Sequence, residues 1–349
     1  MPAVIKCVIW DIDNTLLDGV WLESPGGPPP PDPELTQVLR ELAGRGILQA
    51  LASRNPPEAA SYVQDVTGVR FAAAECGWDS KAAAVSRIAS GLGLSSDALA
   101  FVDDDMIERA EVAAALPAVM VLTPEDAADT PQWPDFSPPV VTAEALRRAE
   151  MYAARQRRQA EAAAFGGSRA DFLRQAGTRI VIGRAGPGDL ARLHELSVRT
   201  HQLNSGGTAL PQPELAALVS SPAHLVATVA LSDDYGDDGI VGCAVMARNG
   251  VGSWPVPVLM MSCRALGRGV LEALLAWLGR TAARAGATGL TVPCLITERN
   301  VPMRLGLAAA GLRAPAGPVP ADGRVLFARS LEPPLPDLPG WVSGWDGAP

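Results

Sequence analysis

The sequence predicts an α/β protein in which a parallel sheet with helices on both faces is followed by a second α/β domain. The chain has 349 residues, which is enough for two domains, and its 48% hydrophobic content argues against disorder. Apolar segments alternate with polar ones, and the run Val4–Ile9 is typical of a buried parallel strand. The pattern restarts at Arg179, where RIVIGRAGPGDLARLHEL indicates a strand, a turn and an amphipathic helix.

Proline-rich segments set the predicted domain boundaries, because proline ends both helices and strands. The stretch from Thr130 to Pro139 closes the first domain, and Thr142–Ala164 is predicted to be an arginine-rich helix. An earlier stretch, SPGGPPPPDP at Ser24–Pro33, is predicted to be a surface loop that is too short to form a cap domain. The predicted divisions are a first domain at 1–128, a linker and helix at 129–177, a second domain at 178–331 and a tail at 332–349.

Composition limits the possible partners and locations. The net charge of −9 argues against nucleic acid as the main partner. No apolar run reaches membrane-spanning length, and the N-terminus enters the first strand directly, so we expect a cytoplasmic protein without a signal peptide. The cysteines are odd in number and form no CxxC pair, which indicates neither a zinc site nor a disulfide framework. They are Cys7, Cys76, Cys243, Cys263 and Cys294.

The segment WDIDNTLLDG places two carboxylates one residue apart at the end of the first strand. Asp11 is expected at the carboxyl edge of the sheet, where open α/β folds bind ligands, and Asp13 in the turn just beyond. One carboxylate can attack phosphorus and bind a metal while the other passes a proton to the leaving oxygen. A solvated turn or a helix cap is the alternative for so short a motif.

Three later segments carry compatible residues. Ser53 ends an apolar strand, and Ser53, Arg54 and Asn55 are predicted to bind a phosphoryl group, with a helix N-cap as the alternative for Ser53. Lys81 precedes a helical pattern and could neutralise a phosphoaspartate, although a lone lysine is usually solvated. The segment FVDDD places further carboxylates, Asp103 and Asp104, at the end of a third strand, and buried acidic clusters are costly unless they bind a cation.

These four segments, in this order, resemble the motifs of the haloacid-dehalogenase (HAD) superfamily of aspartyl phosphotransferases. The resemblance implies that Asp11 is the nucleophile and a Mg²⁺ ligand. It also implies that Asp13 is the acid/base and lends its backbone carbonyl to the metal. Asp104 is then the favoured third ligand, and Asp103 would orient Lys81. Because adjacent strand residues point to opposite faces, the sequence does not decide between Asp103 and Asp104 as the ligand.

The second domain contains a glycine-rich loop between a strand and a helix. Val256–Met261 is followed by Ser262, Cys263 and then RALGRG, whose glycines would free backbone N–H groups at a helix N-terminus for a phosphate. This resembles the acyl-CoA-binding loop of GNAT-type acyltransferases. Where many of those enzymes carry a tyrosine acid this chain has Leu307, so ordinary amine acetylation is not expected. The predicted phosphopantetheine contacts in this loop are Arg264, Gly267, Arg268 and Gly269.

Over nearly its whole length the chain resembles the FkbH family of polyketide pathways. The resemblance rests on KCVIWDIDNTL, DDDMIERAEVAAALP, RTHQLN, MSCRALGRG and TERN. It implies that a HAD-like domain and a GNAT-like domain together take the glyceryl group of 1,3-bisphosphoglycerate, remove its phosphate and load the glyceryl unit onto a phosphopantetheinylated acyl carrier protein. The implied cofactor is Mg²⁺, and the product would feed units such as methoxymalonyl into an assembly line.

A cysteine would carry the glyceryl group as a thioester on this reading. Cys263 is favoured because it stands just ahead of the loop, although most cysteines are small buried hydrophobes. Cys76, near Lys81 in sequence, is the second candidate, and Cys7 is expected in the core. His201, Asn204 and Asn300 are predicted to line the acyl cleft, or else to cap helices or lie on the surface.

Arginines of the predicted helix 142–164 could dock an acidic carrier protein, together with Arg264 and Arg268, or could form an ordinary solvated face. The helical arginines are Arg147, Arg148, Arg155, Arg157 and Arg158.

Two other classes of function stay open. One is a plain Mg²⁺ phosphatase of small metabolites with an inactive GNAT-like half. The other is a carrier-binding scaffold without chemistry. A scaffold would not need the set of catalytic residues at Asp11, Asp13, Lys81 and Asp104.

Overall fold

The computed structural model describes residues 4–332, apart from Pro25, Pro139, His201 and Arg299. The chain divides into two compact units, the first ending at Arg157 and the second beginning at Arg158. The predicted boundary at residue 128 therefore falls inside the first unit. Of the predicted tail, residues 333–349 lie outside the described residues. No described helix has both the length and the apolar composition needed to cross a membrane.

The first unit is built on a five-stranded sheet in the order β3-β2-β1-β4-β5, with every neighbouring pair parallel. Its strands are β1 (Cys7–Trp10), β2 (Leu48–Ser53), β3 (Ala73–Cys76), β4 (Leu99–Val102) and β5 (Met120–Leu122). Its helices are α1 (Pro33–Gly44), α2 (Pro57–Thr67), α3 (Lys81–Leu92), α4 (Met106–Ala115), α5 (Pro124–Asp129), α6 (Ala143–Leu146) and the first part of α7 (Arg148–Ala164).

Both faces of this sheet are buried. Along β1, Val8 and Trp10 belong to one hydrophobic cluster, whereas Cys7 and Ile9 belong to another. Because successive strand side chains point to opposite faces, these two clusters lie on the two sides of the sheet. All four β1 side chains are buried, which explains why the strand is continuously apolar instead of alternating.

Much of the segment predicted as a linker packs into the first unit. Phe136 is fully buried in one of the two core clusters, and Tyr152 is buried in the other. The backbone N–H of Ile5 donates a hydrogen bond to the carbonyl of Asp135, with a length of 2.9 Å. The predicted single helix over 142–164 is two helices, α6 and α7, because Arg147 leaves the helical conformation at φ −88° and ψ 7°.

The second unit contains two sheets. One is antiparallel, in the order β10-β8-β7-β6, and the other has the order β12-β11-β9, in which β11 pairs with β9 in parallel. The strands are β6 (Arg179–Arg184), β7 (His224–Asp233), β8 (Gly236–Ala247), β9 (Gly252–Pro255), β10 (Val258–Met261), β11 (Ala287–Leu295) and β12 (Arg324–Ser330). The helices are α8 (Arg169–Gln175), α9 (Leu190–Arg199), α10 (Gln212–Ser220), α11 (Val270–Arg284) and α12 (Val301–Ala309).

Helix α11 forms the centre of the core of the second unit. Leu274 and Leu278 of this helix belong to one cluster with Val229 of β7 and Val292 of β11, so the helix packs with strands of both sheets. The two units together confirm the predicted fold class, a parallel α/β sheet with helices on both faces followed by a second α/β domain.

Candidate active site

The candidate site lies in the first unit, at the edge where the parallel strands end. Asp11 directly follows β1, and its backbone N–H donates a hydrogen bond of 2.9 Å to the carbonyl of Val102 on β4. Asp103 directly follows β4, and Ser53 is the last residue of β2. Because the three strands are neighbours in the sheet, these side chains meet at one edge, where open α/β folds bind ligands.

Lys81 joins the acidic side chains of this edge. It is the first residue of α3, whose N-cap Ser80 accepts a hydrogen bond from the N–H of Ala83. Its Nζ contacts the carboxylate of Asp11, lies 2.9 Å from Oδ2 of Asp103 and donates to the carbonyl of Ala52 over 2.8 Å. Only 2% of the residue is exposed, so the alternative of a solvated surface lysine does not apply.

Glu108 is a site residue that the sequence reasoning missed. It lies on the first turn of α4, and its two carboxylate oxygens contact two different cations. Oε2 is 3.1 Å from Lys81 Nζ, and Oε1 is 2.9 Å from Nε of Arg54. The available signal was its place five residues after Asp103, because the first turn of a helix that follows a strand stays at the same sheet edge.

Burial and neighbouring charge shift the pKa values of this group. Burial raises the pKa of Asp11 to about 7, against the opposing effect of Lys81. Burial alone would lower the pKa of Lys81, but the carboxylates of Asp11 and Asp103 raise it well above its usual range. Burial also raises the pKa of Glu108. Lys81 therefore stays protonated at neutral pH, while Asp11 titrates there in the absence of a metal.

The carboxylates of Asp11, Asp103 and Asp104 each offer an oxygen within 4.8 Å of the others. Both oxygens of Asp103 already have protein partners, since Oδ2 contacts Lys81 and Oδ1 accepts a hydrogen bond of 2.9 Å from the N–H of Asp105. A cluster of carboxylate oxygens of this kind fits a divalent ion with oxygen ligands.

Asp13 lies in an irregular turn just beyond Asp11. Its φ and ψ of −69° and 135° are extended, and the next residue, Asn14, has a φ of +48°. Its Oδ1 accepts a hydrogen bond of 2.9 Å from the N–H of Trp21, so the side chain is fixed by the segment that follows. The position two residues after Asp11 leaves Asp13 at the same edge of the sheet.

Ser53 and Asn55 form a hydrogen-bonded pair at the end of β2. Asn55 Nδ2 donates to Ser53 Oγ over 3.0 Å, and both residues are buried. Because this bond occupies a lone pair of the hydroxyl, the Ser53 O–H is left to donate, as phosphoryl binding would require. The alternative of a helix N-cap does not apply, since α2 begins at Pro57 with Pro56 as its N-cap.

Arg264 and Arg268, which the sequence predicted to bind phosphopantetheine and an acidic carrier, are buried inside the second unit. They are 5% and 4% exposed, and they face Asp233, the last residue of β7, and Asp238 on β8. Arg268 Nη2 lies 2.6 Å from Asp233, and a second nitrogen contacts Asp238. Carboxylates of the same unit thus contact both guanidinium groups, and their binding of phosphopantetheine or of an acidic carrier stays a prediction.

The arginine-rich helix is also less exposed than predicted. Arg158 is buried and binds Asp233 through two nitrogens, while Arg148 is buried and donates to the carbonyl of Gly46. Arg155 donates to the carbonyl of Leu92 over 3.0 Å. The burial of Arg148 and Arg158 means that the five arginines do not form a continuous exposed face.

The polar residues predicted for the acyl cleft have structural hydrogen bonds. Asn204 Oδ1 accepts from the N–H groups of Gly206 and Gly207, over 2.9 and 3.1 Å. Asn300 donates to the carbonyl of Leu295 and accepts from the N–H of Thr297. Both asparagines are buried, so they shape loops and do not present free side chains to a cleft. His201 lies outside the described residues.

The glycines of the second-unit loop adopt the conformation that the prediction needs. Gly267 and Gly269 have φ values of +70° and +71°, and Gly269 is the N-cap of α11. The loop favours glycine at position 267, because side chains of L-amino acids rarely adopt a φ of +70°. The strand-loop-helix arrangement is present, although its two arginines face inward.

All five cysteines are thiols. Cys7 and Cys243 are fully buried, and burial raises the pKa of both, for Cys243 to about 12. Cys263 is partly buried at the start of a 3₁₀ turn after β10. Cys76 ends β3 in register with Ser53, and its pKa is raised first by burial and then by Glu75 and Asp11. The cysteine at the phosphoryl edge is therefore Cys76.

Comparisons with known proteins give similarity at the level of partial folds. No protein-family model matches the chain, and no curated protein matches it. One similar solved structure is the N-terminal part of a Bacteroides fragilis protein, described as containing a phosphatase domain complexed with Mg. The two are 28% identical over 36% of this chain and 38% of that chain, with a TM-score of 0.31. The matched region thus spans well under half the length of that structure.

Two further structures illustrate the range of similarity. A hypothetical protein from Xanthomonas campestris is 25% identical over 35% of this chain and 64% of its own length, with a TM-score of 0.29. An aminoglycoside acetyltransferase in complex with coenzyme A is 14% identical over 43% of this chain and 94% of its own, with a TM-score of 0.34. Likeness of this degree does not establish an activity.

Proposed function

We propose that the chain is a Mg²⁺-dependent enzyme that cleaves a phosphate ester at Asp11. The observation that carries the proposal is the placement of Lys81 between the carboxylates of Asp11 and Asp103, with Asp104 beside them, at the carboxyl edge of a parallel sheet. A buried cation next to clustered carboxylates has little value for stability, because burying both charges is costly. It suits a site that must receive additional negative charge during a reaction.

The finer proposal follows the resemblance to the FkbH family. The enzyme would take the glyceryl group of 1,3-bisphosphoglycerate, remove the remaining phosphate and load the glyceryl unit onto a phosphopantetheinylated acyl carrier protein. Its support is the set WDIDNTL, ALASRN, DSK and FVDDD, whose residues meet at one sheet edge, together with the glycine loop before α11.

In the phosphatase step, a carboxylate oxygen of Asp11 attacks phosphorus and the bond from phosphorus to the ester oxygen breaks. The leaving oxygen takes the electron pair and a proton from Asp13. Water then attacks the aspartyl phosphate, gives a proton back to Asp13 and releases inorganic phosphate and the Asp11 carboxylate. Ser53 and Lys81 would hold the phosphoryl oxygens, and Lys81 would balance the charge that accumulates on them.

The residues that would hold Mg²⁺ are Asp11, Asp104 and the backbone carbonyl of Asp13. The ion, when bound, polarises a phosphoryl oxygen and shields the attacking carboxylate. The protein contributes the geometry. Asp103 holds Lys81, and Glu108 holds both Lys81 and Arg54, so the two cations keep fixed places beside Asp11.

In the acyl step, a cysteine sulfur attacks the carbonyl carbon of the acyl phosphate, and the bond from carbon to the phosphate oxygen breaks. Phosphate leaves with the electron pair, and the thiol proton passes to the released phosphate. The carrier thiol then attacks the thioester, and the enzyme thiol is regenerated with that proton. Cys263 remains our choice for this role, and Cys76 is the competitor that lies at the phosphoryl edge.

A plain phosphatase of small metabolites is the second candidate function. One observation favours it: Arg264 and Arg268 are paired with Asp233 and Asp238, so they do not face a pantetheine phosphate. In that case the second unit would have no chemical role, and variants of Cys263 would keep full activity.

The test is intact-mass spectrometry of a holo acyl carrier protein after incubation with the enzyme, Mg²⁺ and 1,3-bisphosphoglycerate generated in place. The wild-type protein should produce a glyceryl adduct on the carrier. Asp11→Asn should produce no glyceryl adduct, because this variant cannot remove the remaining phosphate of the glyceryl group. Cys263→Ala and Cys76→Ala test the two candidate cysteines, and the variant that abolishes the adduct identifies the cysteine that forms the thioester. Cys243→Ala serves as the matched control.

Two results would contradict the finer proposal. If the wild-type protein releases phosphate while the carrier stays unmodified, the second candidate function holds instead. If the glyceryl adduct forms equally well with Asp11→Asn, the proposed role of Asp11 is wrong.

A further inference from the structure

We propose that Arg109 is a positioning residue that orients Asp104 toward the Mg²⁺ of the candidate active site. This inference rests on the proposed function and names a residue that neither of its chemical steps uses. Arg109 lies on α4, just after the segment Asp103–Asp105, and its Nη1 donates a hydrogen bond of 2.6 Å to the backbone carbonyl of Asp103. A guanidinium group therefore holds the backbone of the loop that carries these acidic side chains.

The carbonyl of Asp103 belongs to the peptide group that joins Asp103 to Asp104. The atoms of a peptide group lie in one plane, so the orientation of this plane fixes the direction in which the chain continues into Asp104. A hydrogen bond to the carbonyl resists rotation of the plane. Arg109 thus acts on Asp104 through the backbone.

Other hydrogen bonds anchor the loop on both sides of this peptide group. The N–H of Asp103 donates to the carbonyl of Leu122 over 3.3 Å, and Oδ1 of Asp103 accepts from the N–H of Asp105 over 2.9 Å. Asp105 is the N-cap of α4, and its Oδ1 accepts from the N–H of Ile107 over 2.7 Å. None of these three bonds involves the peptide group between Asp103 and Asp104, so the bond from Arg109 supplies a separate restraint.

Helix stability does not explain an arginine at this position. Arg109 is the fourth residue of α4 and lies close to the N-terminal end of the helix. The helix dipole is positive at that end and disfavours a cation there. The contact with the carbonyl of Asp103 gives the residue a different purpose, which is to fix the loop before the helix.

The charge of Arg109 and its contact with the loop should affect Mg²⁺ binding in opposite directions. The charge lies near the carboxylates of the site, so removal of the charge alone should strengthen the binding of a cation. Loss of the contact should weaken it, because the loop then spends less time in the arrangement that binds Mg²⁺. A loop that holds this arrangement for about a tenth of the time raises the apparent dissociation constant about tenfold. We expect the loss of the contact to dominate.

Isothermal titration calorimetry with MgCl₂ on the metal-free, full-length protein, without substrate, measures this binding directly. Arg109→Met should raise the dissociation constant of Mg²⁺ by about tenfold. Arg109→Lys should stay within about threefold of the wild type, because the lysine ammonium keeps the charge and can donate to the same carbonyl. Rescue by lysine separates the contact with the loop from a general loss of packing around α4.

Two variants serve as controls. Arg87→Met removes an arginine of α3 that pairs with Glu75 and Asp79. Glu125→Gln removes a carboxylate that interacts electrostatically with Arg109 and leaves the contact with Asp103 in place. Both variants should leave the dissociation constant of Mg²⁺ unchanged. Urea unfolding in EDTA shows whether each variant is folded.

An Arg109→Met protein that binds Mg²⁺ as tightly as the wild type, or more tightly, would overturn the inference. An equal loss of Mg²⁺ affinity in Arg109→Met and Arg87→Met would also overturn it, since the effect would not be specific to the loop. Asp104→Asn, titrated in the same way, separates this failure from that of the proposed function. If Asp104→Asn binds Mg²⁺ like the wild type, or if the wild type binds none, the proposed metal site is wrong and the inference fails with it.

Discussion

Lys81 Nζ lies 2.9 Å from Asp103 Oδ2, while the other oxygen of Asp103 accepts the N–H of Asp105 over 2.9 Å. Asp103 is therefore fully engaged in holding the lysine and its own loop. Asp104 lies in the same group of carboxylates without a contact to Lys81, and it is less buried. This division of roles between adjacent aspartates leads to the first prediction.

Asp104→Asn should weaken the response to Mg²⁺ more than Asp103→Asn does. Loss of a metal ligand should raise the Mg²⁺ concentration for half-maximal phosphate release by about tenfold or more, because each charged ligand contributes to cation affinity. Asp103→Asn should lower kcat and leave that concentration within about threefold, since it acts through Lys81. Phosphate release titrated with Mg²⁺ measures both quantities. The reverse pattern would assign the metal to Asp103.

Lys81→Met should lower stability as well as activity in the metal-free protein. It leaves the carboxylates of Asp11, Asp103 and Glu108 without their shared cation, and breaking a buried ion pair costs about 3–5 kcal/mol. Urea unfolding in EDTA measures the loss, and added Mg²⁺ should restore part of it. Arg87→Met, at an ion pair on the surface, should leave the unfolding free energy nearly unchanged, because water screens an exposed pair. An equal effect of both variants would contradict the account.

Asp11→Asn should stabilise the metal-free protein at pH 8. Burial raises the pKa of Asp11 to about 7, above that of the unfolded chain, so the folded state holds the proton more tightly. The stability from this residue is present below about pH 4 and is lost as the pH rises through about 7. Asparagine avoids that loss, which we expect to be roughly 1–4 kcal/mol. Unfolding free energies of Asp11→Asn and of the wild type, measured in EDTA at pH 5 and pH 8, check this prediction. The stabilisation by Asp11→Asn should be smaller at pH 5 than at pH 8.

Arg268→Met should destabilise the second unit without a specific effect on pantetheine binding. Arg268 bridges Asp233 and Asp238, and its removal leaves buried carboxylates with fewer partners, at a cost of about 3 kcal/mol. Arg157→Met, on an exposed position of α7, should cost less than about 0.5 kcal/mol. Thermal unfolding compares the two. A folded, fully stable Arg268→Met protein that no longer accepts the carrier would instead support the original prediction for this arginine.

The residues at the sheet edge were predictable because strand ends and motif spacing are local properties. Asp11, Ser53 and Asp103 each follow or end a short apolar strand, and parallel neighbours bring such ends together. The spacing from Asp103 places Glu108 at the same sheet edge, but its contacts with Lys81 and Arg54 depend on how α4, α3 and the end of β2 pack together, which the sequence pattern does not show.

The second unit was less predictable for a similar reason. The glycine loop before α11 was recognised from its strand and helix, and Gly269 has the expected positive φ. The partners of Arg264 and Arg268 are residues of the hairpin strands β7 and β8, some 30 positions earlier in the chain. A basic residue in a phosphate-loop pattern does not reveal that a carboxylate of the same unit already faces it.

The central claim is that Asp11 is the nucleophile of a Mg²⁺-dependent phosphate-ester cleavage. The most direct measurement is phosphate release from p-nitrophenyl phosphate and from 3-phosphoglycerate, with and without EDTA, by the wild-type protein and by Asp11→Asn. Neither compound carries an acyl phosphate, so any phosphate must come from an ester. We predict release from at least one of them that EDTA abolishes and that Asp11→Asn lowers by about a thousandfold or more. A wild-type protein that cleaves neither ester, or an Asp11→Asn variant as active as the wild type, would contradict the account.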